Sequence, residues 1–169
     1  MRHRIVMLTV AVVAFLAAGA AAAAGSAQAA TPLTTSIWLH QANQDMNCIG
    51  TNGVGNPLTD NAYYNGCANI TITGHGMEGG DPAYQFTDGN GRCIGANSSD
   101  VVVVESGGCT DTSDEIWIDT YGTVGNGNTV RFENAARQLW MMCTGTVAGD
   151  KVRVGTGGAN DWDLLPNPS

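Results

Sequence analysis

The chain has 169 residues, with seven Lys and Arg against fifteen Asp and Glu, for a formal charge of −8. A chain this acidic repels a phosphate backbone and lacks a basic patch, which excludes nucleic-acid binding and docking on anionic lipid. The length suits a single domain.

Residues Met1 to Arg4 are basic, Ile5 to Gly25 form an apolar Ala-rich tract, and Ala27-Gln28-Ala29 supplies a small-x-small cleavage pattern. This is the layout of a secretory leader over residues 1–29. The tract is also about long enough to span a bilayer, so an uncleaved anchor is the rival reading. Cleavage after Ala29 would leave 169 − 29 = 140 residues with a charge of 5 − 15 = −10, because Arg2 and Arg4 leave with the leader. Such acidity fits solubility outside the cell. A secreted monomer with no membrane association after cleavage is therefore expected.

Residues 30–35 are short and polar and are expected to be loosely held, with one domain running from 36 to 169. Beyond Ile37-Trp38-Leu39, turn signals recur about every ten residues: Thr51-Asn52-Gly53, Asn65-Gly66, Asp88-Gly89-Asn90-Gly91, Gly107-Gly108, Gly125-Asn126-Gly127 and Ala148-Gly149-Asp150. Between them lie short runs rich in Val, Ile, Thr and aromatics, such as Ile70-Thr71-Ile72, Val101 to Val104 and Ile116-Trp117-Ile118. Many short strands at this spacing predict an all-β sandwich or barrel. The nearest approach to a helical period, Ala135 to Met142, is too short to outweigh its surroundings.

All five Cys (48, 67, 93, 109 and 143) follow the leader, where an oxidising compartment favours pairing. Four paired Cys allow three connectivities, and the fifth is left over. With no Cys-x-x-Cys and only His40 and His75 after the leader, neither a metal nor another cofactor is expected. Asp88-Gly89-Asn90-Gly91 lacks the length and terminal Glu of an EF-hand loop and reads as a hairpin turn. No Gly-x-Ser-x-Gly motif and no acid/base pair is present, so the chain is not expected to be an enzyme. Asn69-Ile70-Thr71 and Asn97-Ser98-Ser99 match the glycosylation sequon.

The order of residues repeats. Cys48-Ile49-Gly50 returns as Cys93-Ile94-Gly95 and, less closely, as Cys143-Thr144-Gly145, at intervals of 93 − 48 = 45 and 143 − 93 = 50 residues. A second Cys follows after 67 − 48 = 19 residues in unit one and 109 − 93 = 16 in unit two, while Gly157 holds that place in unit three. Glu115-Ile116-Trp117 is matched by Asn160-Asp161-Trp162, with Ala68-Asn69-Ile70 a worn copy in unit one. Periods of this size mark repeat architectures.

The pattern Cys-aliphatic-x, β-run, Cys, then a Gln-x-Trp-like segment resembles the ricin B-like, or QxW, β-trefoil lectin domain over Ile37 to Leu165. The resemblance implies a β-trefoil of three pseudo-repeats of about 45 residues. A disulfide-bonded β-sandwich is the alternative. It also implies pairing within units, Cys48 with Cys67 and Cys93 with Cys109, leaving Cys143 free. Trp117 and Trp162 then pack the barrel, and Trp38 and Trp140 are left as core or surface residues.

Sugar sites in this family use an Asp two residues after the first Cys, which accepts hydrogen bonds from two hydroxyls. An aromatic ring two residues before the second Cys stacks on the sugar. Here the Asp position reads Gly50, Gly95 and Gly145, and the aromatic position reads Asn65, Gly107 and Gly155. The candidate substitutes are Tyr63 as a stacking ring with Asn65 on the same strand face, and Glu105 and Asp114 as carboxylates. The expected function is a secreted, non-catalytic binding module for an extracellular glycan or polysaccharide. The alternative is a trefoil without sugar binding that contacts a secreted protein, acting as an interaction factor or in the manner of a protease inhibitor.

Overall fold

A computed structural model describes residues 32–39, 47–62, 66–121, 124, 129–145, 149–157 and 160–165. The described part is all-β, with twelve strands in one sheet. In chain order they are β1 (Leu33–Leu39), β2 (Asn47–Gly50), β3 (Thr59–Ala62), β4 (Ile70–Glu78), β5 (Asp81–Thr87), β6 (Cys93–Ala96), β7 (Val102–Val104), β8 (Ile116–Tyr121), β9 (Arg131–Asn134), β10 (Leu139–Cys143), β11 (Val152–Gly155) and β12 (Trp162–Leu165). A short 3-10 turn, Ser113–Glu115, leads into β8. The segment Ala135 to Met142 is a turn followed by a strand, as its lack of a sustained helical period requires.

Six strands form a nearly closed ring. β1 pairs with β4, β4 with β5, β5 with β8, and β8 with β9, all antiparallel. Val130, just before β9, exchanges backbone hydrogen bonds of 2.8 and 2.9 Å with Trp162 of β12, and β12 returns to pair with β1. The other six make three hairpins, β2–β3, β6–β7 and β10–β11. These bond to one another in a triangle. Leu58 N–H donates to Val102 O and Val152 N–H to Leu58 O, each at 2.9 Å, while Val154 N–H donates to Asp100 O at 2.9 Å. Leu58, Val102 and Val152 are at most 1% exposed, so the junction of the hairpins is part of the core.

The core follows from strand alternation. Phe132 and Asn134 of β9 point inward while Arg131 and Glu133 do not. Phe86 stacks on Trp117 with ring centroids 5.6 Å apart and meets Phe132 edge-on at 4.8 Å. Asn134 is a fully buried polar residue with partners on both ends: its Nδ2 donates to Asp114 O at 2.8 Å, and its Oδ1 accepts from Arg137 N–H at 3.2 Å. Residues 33–35, expected to be loose, are part of β1: Leu33, Thr34 and Thr35 face Ile72, Thr71 and Ile70. Short β-branched residues beside an open strand edge favour pairing over a free tail.

Both disulfides join the residues named above, Cys48 to Cys67 with Cα atoms 5.4 Å apart and Cys93 to Cys109 at 4.8 Å. Two disulfides fit an oxidising, extracellular compartment. Cys143 is free and buried, and burial together with the charges of Asp60 and Asp150 pushes its thiol far above the usual range. It is inert as a nucleophile.

The hydrogen-bond register revises one alignment. Trp117 Nε1 donates to Ile94 O at 2.9 Å, and Trp162 Nε1 donates to Met141 O at 3.3 Å. Ile94 lies opposite Val104, and Met141 lies opposite Val154. Met141 is therefore the counterpart of Ile94, and Trp140 stands where Cys93 stands. Cys143 corresponds to Ala96, facing Val152 as Ala96 faces Val102. Its freedom comes from this inward position, three residues beyond that of the bridged cysteines. In the first hairpin Ile49 O receives its bond at 2.9 Å from the backbone N–H of Ala68, in place of an indole.

Two buried carboxylates respond to pH in opposite senses. Asp88 is 3% exposed; burial alone would raise its pKa. Hydrogen bonds from Arg92 Nε (2.9 Å), Arg92 Nη2 (2.5 Å), and the backbone N–H groups of Arg92 and Asn90 nevertheless hold it below the usual range. Its contribution to stability is present above the unfolded value of 3.8 and is lost as pH falls through the lower folded one. Asp60 is 1% exposed with one amide, Asn47 Nδ2, at 2.9 Å; desolvation, reinforced by Asp150, raises its pKa. The folded state thus binds the Asp60 proton more tightly, so this site favours folding in acid and loses that advantage as pH rises past 3.8 and through the raised value. Asp60→Asn is expected to raise the melting temperature at pH 7 and to leave it unchanged near about pH 3, where both states are protonated. Melting curves at the two pH values check this, and a lower melting temperature at pH 7 would refute it.

Candidate functional site

Tyr63 and Asn65 lie outside the described residues. The other two candidates, Glu105 and Asp114, come together around Gly95. Glu105 follows β7, and its N–H donates to Cys93 O at 2.7 Å. A Cβ built on Gly95 would lie 3.5 Å from Glu105 Oε1 and 3.0 Å from the backbone O of Asp114, so both residues border the same glycine. The Glu105 carboxyl is half-buried, and desolvation, then the negative charges of Asp114 and Glu115, raise its pKa. Glu115 is committed to the scaffold: it is 6% exposed and accepts from Thr110 N–H at 2.6 Å and Thr110 Oγ1 at 3.1 Å.

The arrangement over Gly95 has counterparts in the other hairpins. In β2–β3, Asn61 lies opposite Cys48, and its Nδ2 occupies the space a Cβ on Gly50 would need. In β10–β11 the polarity reverses: Met142 Sδ lies 2.8 Å from a Cβ position on Gly155. Each hairpin therefore pairs one glycine with one longer side chain on the diagonal of its ladder. By this register the counterpart of Gly50 and Gly95 in the third hairpin is Met142, and Gly145 falls three residues past it. Gly145 is covered by Asp150, whose Oδ1 lies 3.5 Å from its Cβ position. None of this is visible in the order of residues, because the diagonal exists only once the hairpin register is set.

The two Trp left open separate cleanly. Trp38 is 1% exposed, whereas Trp140 is half-buried on the outer side of β10, between Glu133 of β9 and Gly155 of β11. On β4, His75 Nδ1 lies 3.7 Å from Asp111 Oδ1, which also accepts from Gln85 Nε2 at 2.7 Å. This polar cluster, in which Asp111 is exposed and His75 and Gln85 are half-buried, has no nucleophile among its members. The Asp88 turn is closed by Arg92, leaving the Asp88 carboxylate with four donors and little to offer a cation. Among the described residues, the His, Cys, Asp and Glu donors close enough to share an ion are Cys93, Cys109 and Glu115. Their two sulfurs are joined in a disulfide, so the thiolates that zinc needs are absent. Also among the described residues, no helix is long and apolar enough to cross a membrane.

No protein-family model matches the chain, and no curated protein does. Solved structures do. The crystal structure of the lysenin pore aligns at a TM-score of 0.53 with 11% identity, covering 78% of this chain and 46% of that one. The complex of lysenin with phosphocholine aligns at 0.52 with 10% identity, covering 80% and 45%. At such identity the likeness is one of fold, and this chain spans less than half the length of those proteins.

Proposed function

We propose that the chain is a β-trefoil of the ricin B-like kind, acting outside the cell as a non-catalytic carbohydrate-binding module. The trefoil reading is supported by the ring β1–β4–β5–β8–β9–β12, the three hairpins bonded in a triangle, and the return of the Trp-to-carbonyl bond in Trp117 and Trp162. A sandwich needs neither the ring nor the triangle. The leader-like residues 1–29 and the two disulfides support secretion.

The observation that carries the binding reading is the placement of Glu105 over Gly95, with Asn61 likewise over Gly50. In the family that this sequence resembles, a carboxylate rises from the glycine position itself to hold two sugar hydroxyls. Here a carboxylate and an amide reach the same two places from the facing strand. Asp114 lies close enough for its negative charge to act on Glu105, while its backbone O beside Gly95 is taken by Asn134 Nδ2. These groups, rather than the fold, support the carbohydrate-binding reading. A glycan array and retention on insoluble polysaccharides test it. The wild type is expected to be retained on at least one matrix, and Glu105→Gln is expected to weaken that retention by about tenfold, one hydrogen bond to a charged group. Retention on no matrix would overturn the reading.

One feature favours a second reading, a protein-contacting factor. Val54 is 46% exposed on a loop braced by Asn52 Nδ2 to Pro57 O (3.0 Å) and Asn56 Nδ2 to Asn52 O (2.8 Å). An apolar side chain on a stiffened loop suits a protein partner. Inhibition of a secreted protease in a panel assay, lost in Val54→Asp, would select this reading instead.

A further inference from the structure

The outer face of β9, β10 and β11 carries a group of residues distinct from those around Gly95. Glu133, Trp140 and Gly155 are successive cross-strand partners, so they share one face of the sheet. Along β10 the buried residues are Met141 and Cys143, while Trp140 and Met142 are half-buried, which turns the shared face outward. The space above Gly155 is closed from two sides: its Cβ position lies 2.8 Å from Met142 Sδ and 3.8 Å from both Nε and Nη2 of Arg153. Trp140 thus shares its outer face with Glu133 of β9, with Met142 of its own strand, and with Gly155 of β11, over which the Arg153 guanidinium reaches. Trp140 also occupies the register of Cys48 and Cys93, where a disulfide ties the neighbouring segment down in the other two hairpins. Cys143, by contrast, is free, and the ring has no such tether over it.

We propose that this face is a saccharide-stacking site that takes a neutral pyranose of a polysaccharide against Trp140. The inference rests on the carbohydrate reading and locates a site for it that needs neither Glu105 nor Asn61. An indole face covers the C–H groups of a pyranose. A carboxylate only accepts hydrogen bonds and a guanidinium only donates them, so Glu133 and Arg153 together call for a ligand whose groups do both, as hydroxyls do. Their charges cancel, which favours a neutral sugar over a uronic acid or an amino sugar.

The test uses the purified protein on cellulose, chitin and xylan, with soluble oligosaccharides of the retained polymer followed by tryptophan fluorescence. Trp140→Ala is expected to reduce retention about tenfold, and Glu133→Gln and Arg153→Ala several-fold each, while Trp140→Phe keeps most of it. If Trp140→Ala fails to fold, the two charge variants decide. Undiminished retention in Glu133→Gln and Arg153→Ala, with Glu105→Gln losing it, overturns this site and leaves the carbohydrate reading standing. Retention of the wild type on no matrix overturns both. A fluorescence response to choline and to no sugar also overturns the site, since it would assign the ring to a cation.

Discussion

Trp117→Ala is expected to lower the unfolding free energy by about 3–5 kcal/mol, measured by denaturant titration. The ring is fully buried, lies 5.6 Å from Phe86 in a near-parallel stack, and reaches Phe132 through the edge contact of Phe86 at 4.8 Å. Its removal opens a cavity in a close-packed interior that relaxes only in part. It also strips Ile94 O of the indole donor at 2.9 Å. Trp117→Phe separates these effects, since it retains most of the stack and loses the donor. A cost of about 1–3 kcal/mol is expected for an acceptor left buried and unbonded. Trp162→Ala should resemble Trp117→Ala, because Trp162 is fully buried and its Nε1 bonds Met141 O. A loss below about 2 kcal/mol in both Ala variants would show that these indoles are not the centre of the core.

The two Trp also show how far the sequence is readable. Their burial was expected from the resemblance to a QxW pattern, as was the pairing of Cys48 with Cys67 and Cys93 with Cys109. The Val102–Val104 strand and the turns around it were plain from β-branched runs between glycine-rich punctuation. The third hairpin was read three residues out of step. Cys143-Thr144-Gly145 matches Cys93-Ile94-Gly95 letter for letter at two of three places, but register follows burial alternation, which buries Met141 and Cys143 and turns Trp140 outward. A ring on the outer face of a strand looks, in sequence, like any core Trp. Glu105 was named as a carboxylate, but its place over Gly95 depends on a cross-strand diagonal that no local pattern encodes.

Replacing Cys93 and Cys109 together by Ala is expected to cost about 3 kcal/mol of stability, because the bridge closes a loop of 16 residues that the unfolded chain would otherwise explore. The Cys48–Cys67 bridge closes 19 residues and should contribute nearly the same, since loop entropy grows only logarithmically with length. The sum, about 6 kcal/mol if the two act independently, is a large share of the 5–15 kcal/mol that holds a typical domain folded. Full reduction should therefore leave the fold marginal at about 37 °C. The two bridges differ in what else they hold. Cys93 N–H donates to Gly107 O at 2.7 Å and Cys93 O accepts from Glu105 N–H at 2.7 Å, so its disulfide clamps the segment that carries Glu105. Loss of Cys93–Cys109 is expected to displace the Glu105 segment, and so to weaken the polysaccharide retention proposed for it, as well as to lower stability, whereas loss of Cys48–Cys67 should leave that segment in place. Cys143→Ala provides the comparison. It removes a buried thiol with no bridge, so the expected cost is about 1 kcal/mol, with no change in how the domain responds to reductant. Guanidinium titrations of the three variants, with and without reductant, decide the matter. Equal losses in all three would mean that packing, and not the covalent bridges, sets the stability of this domain.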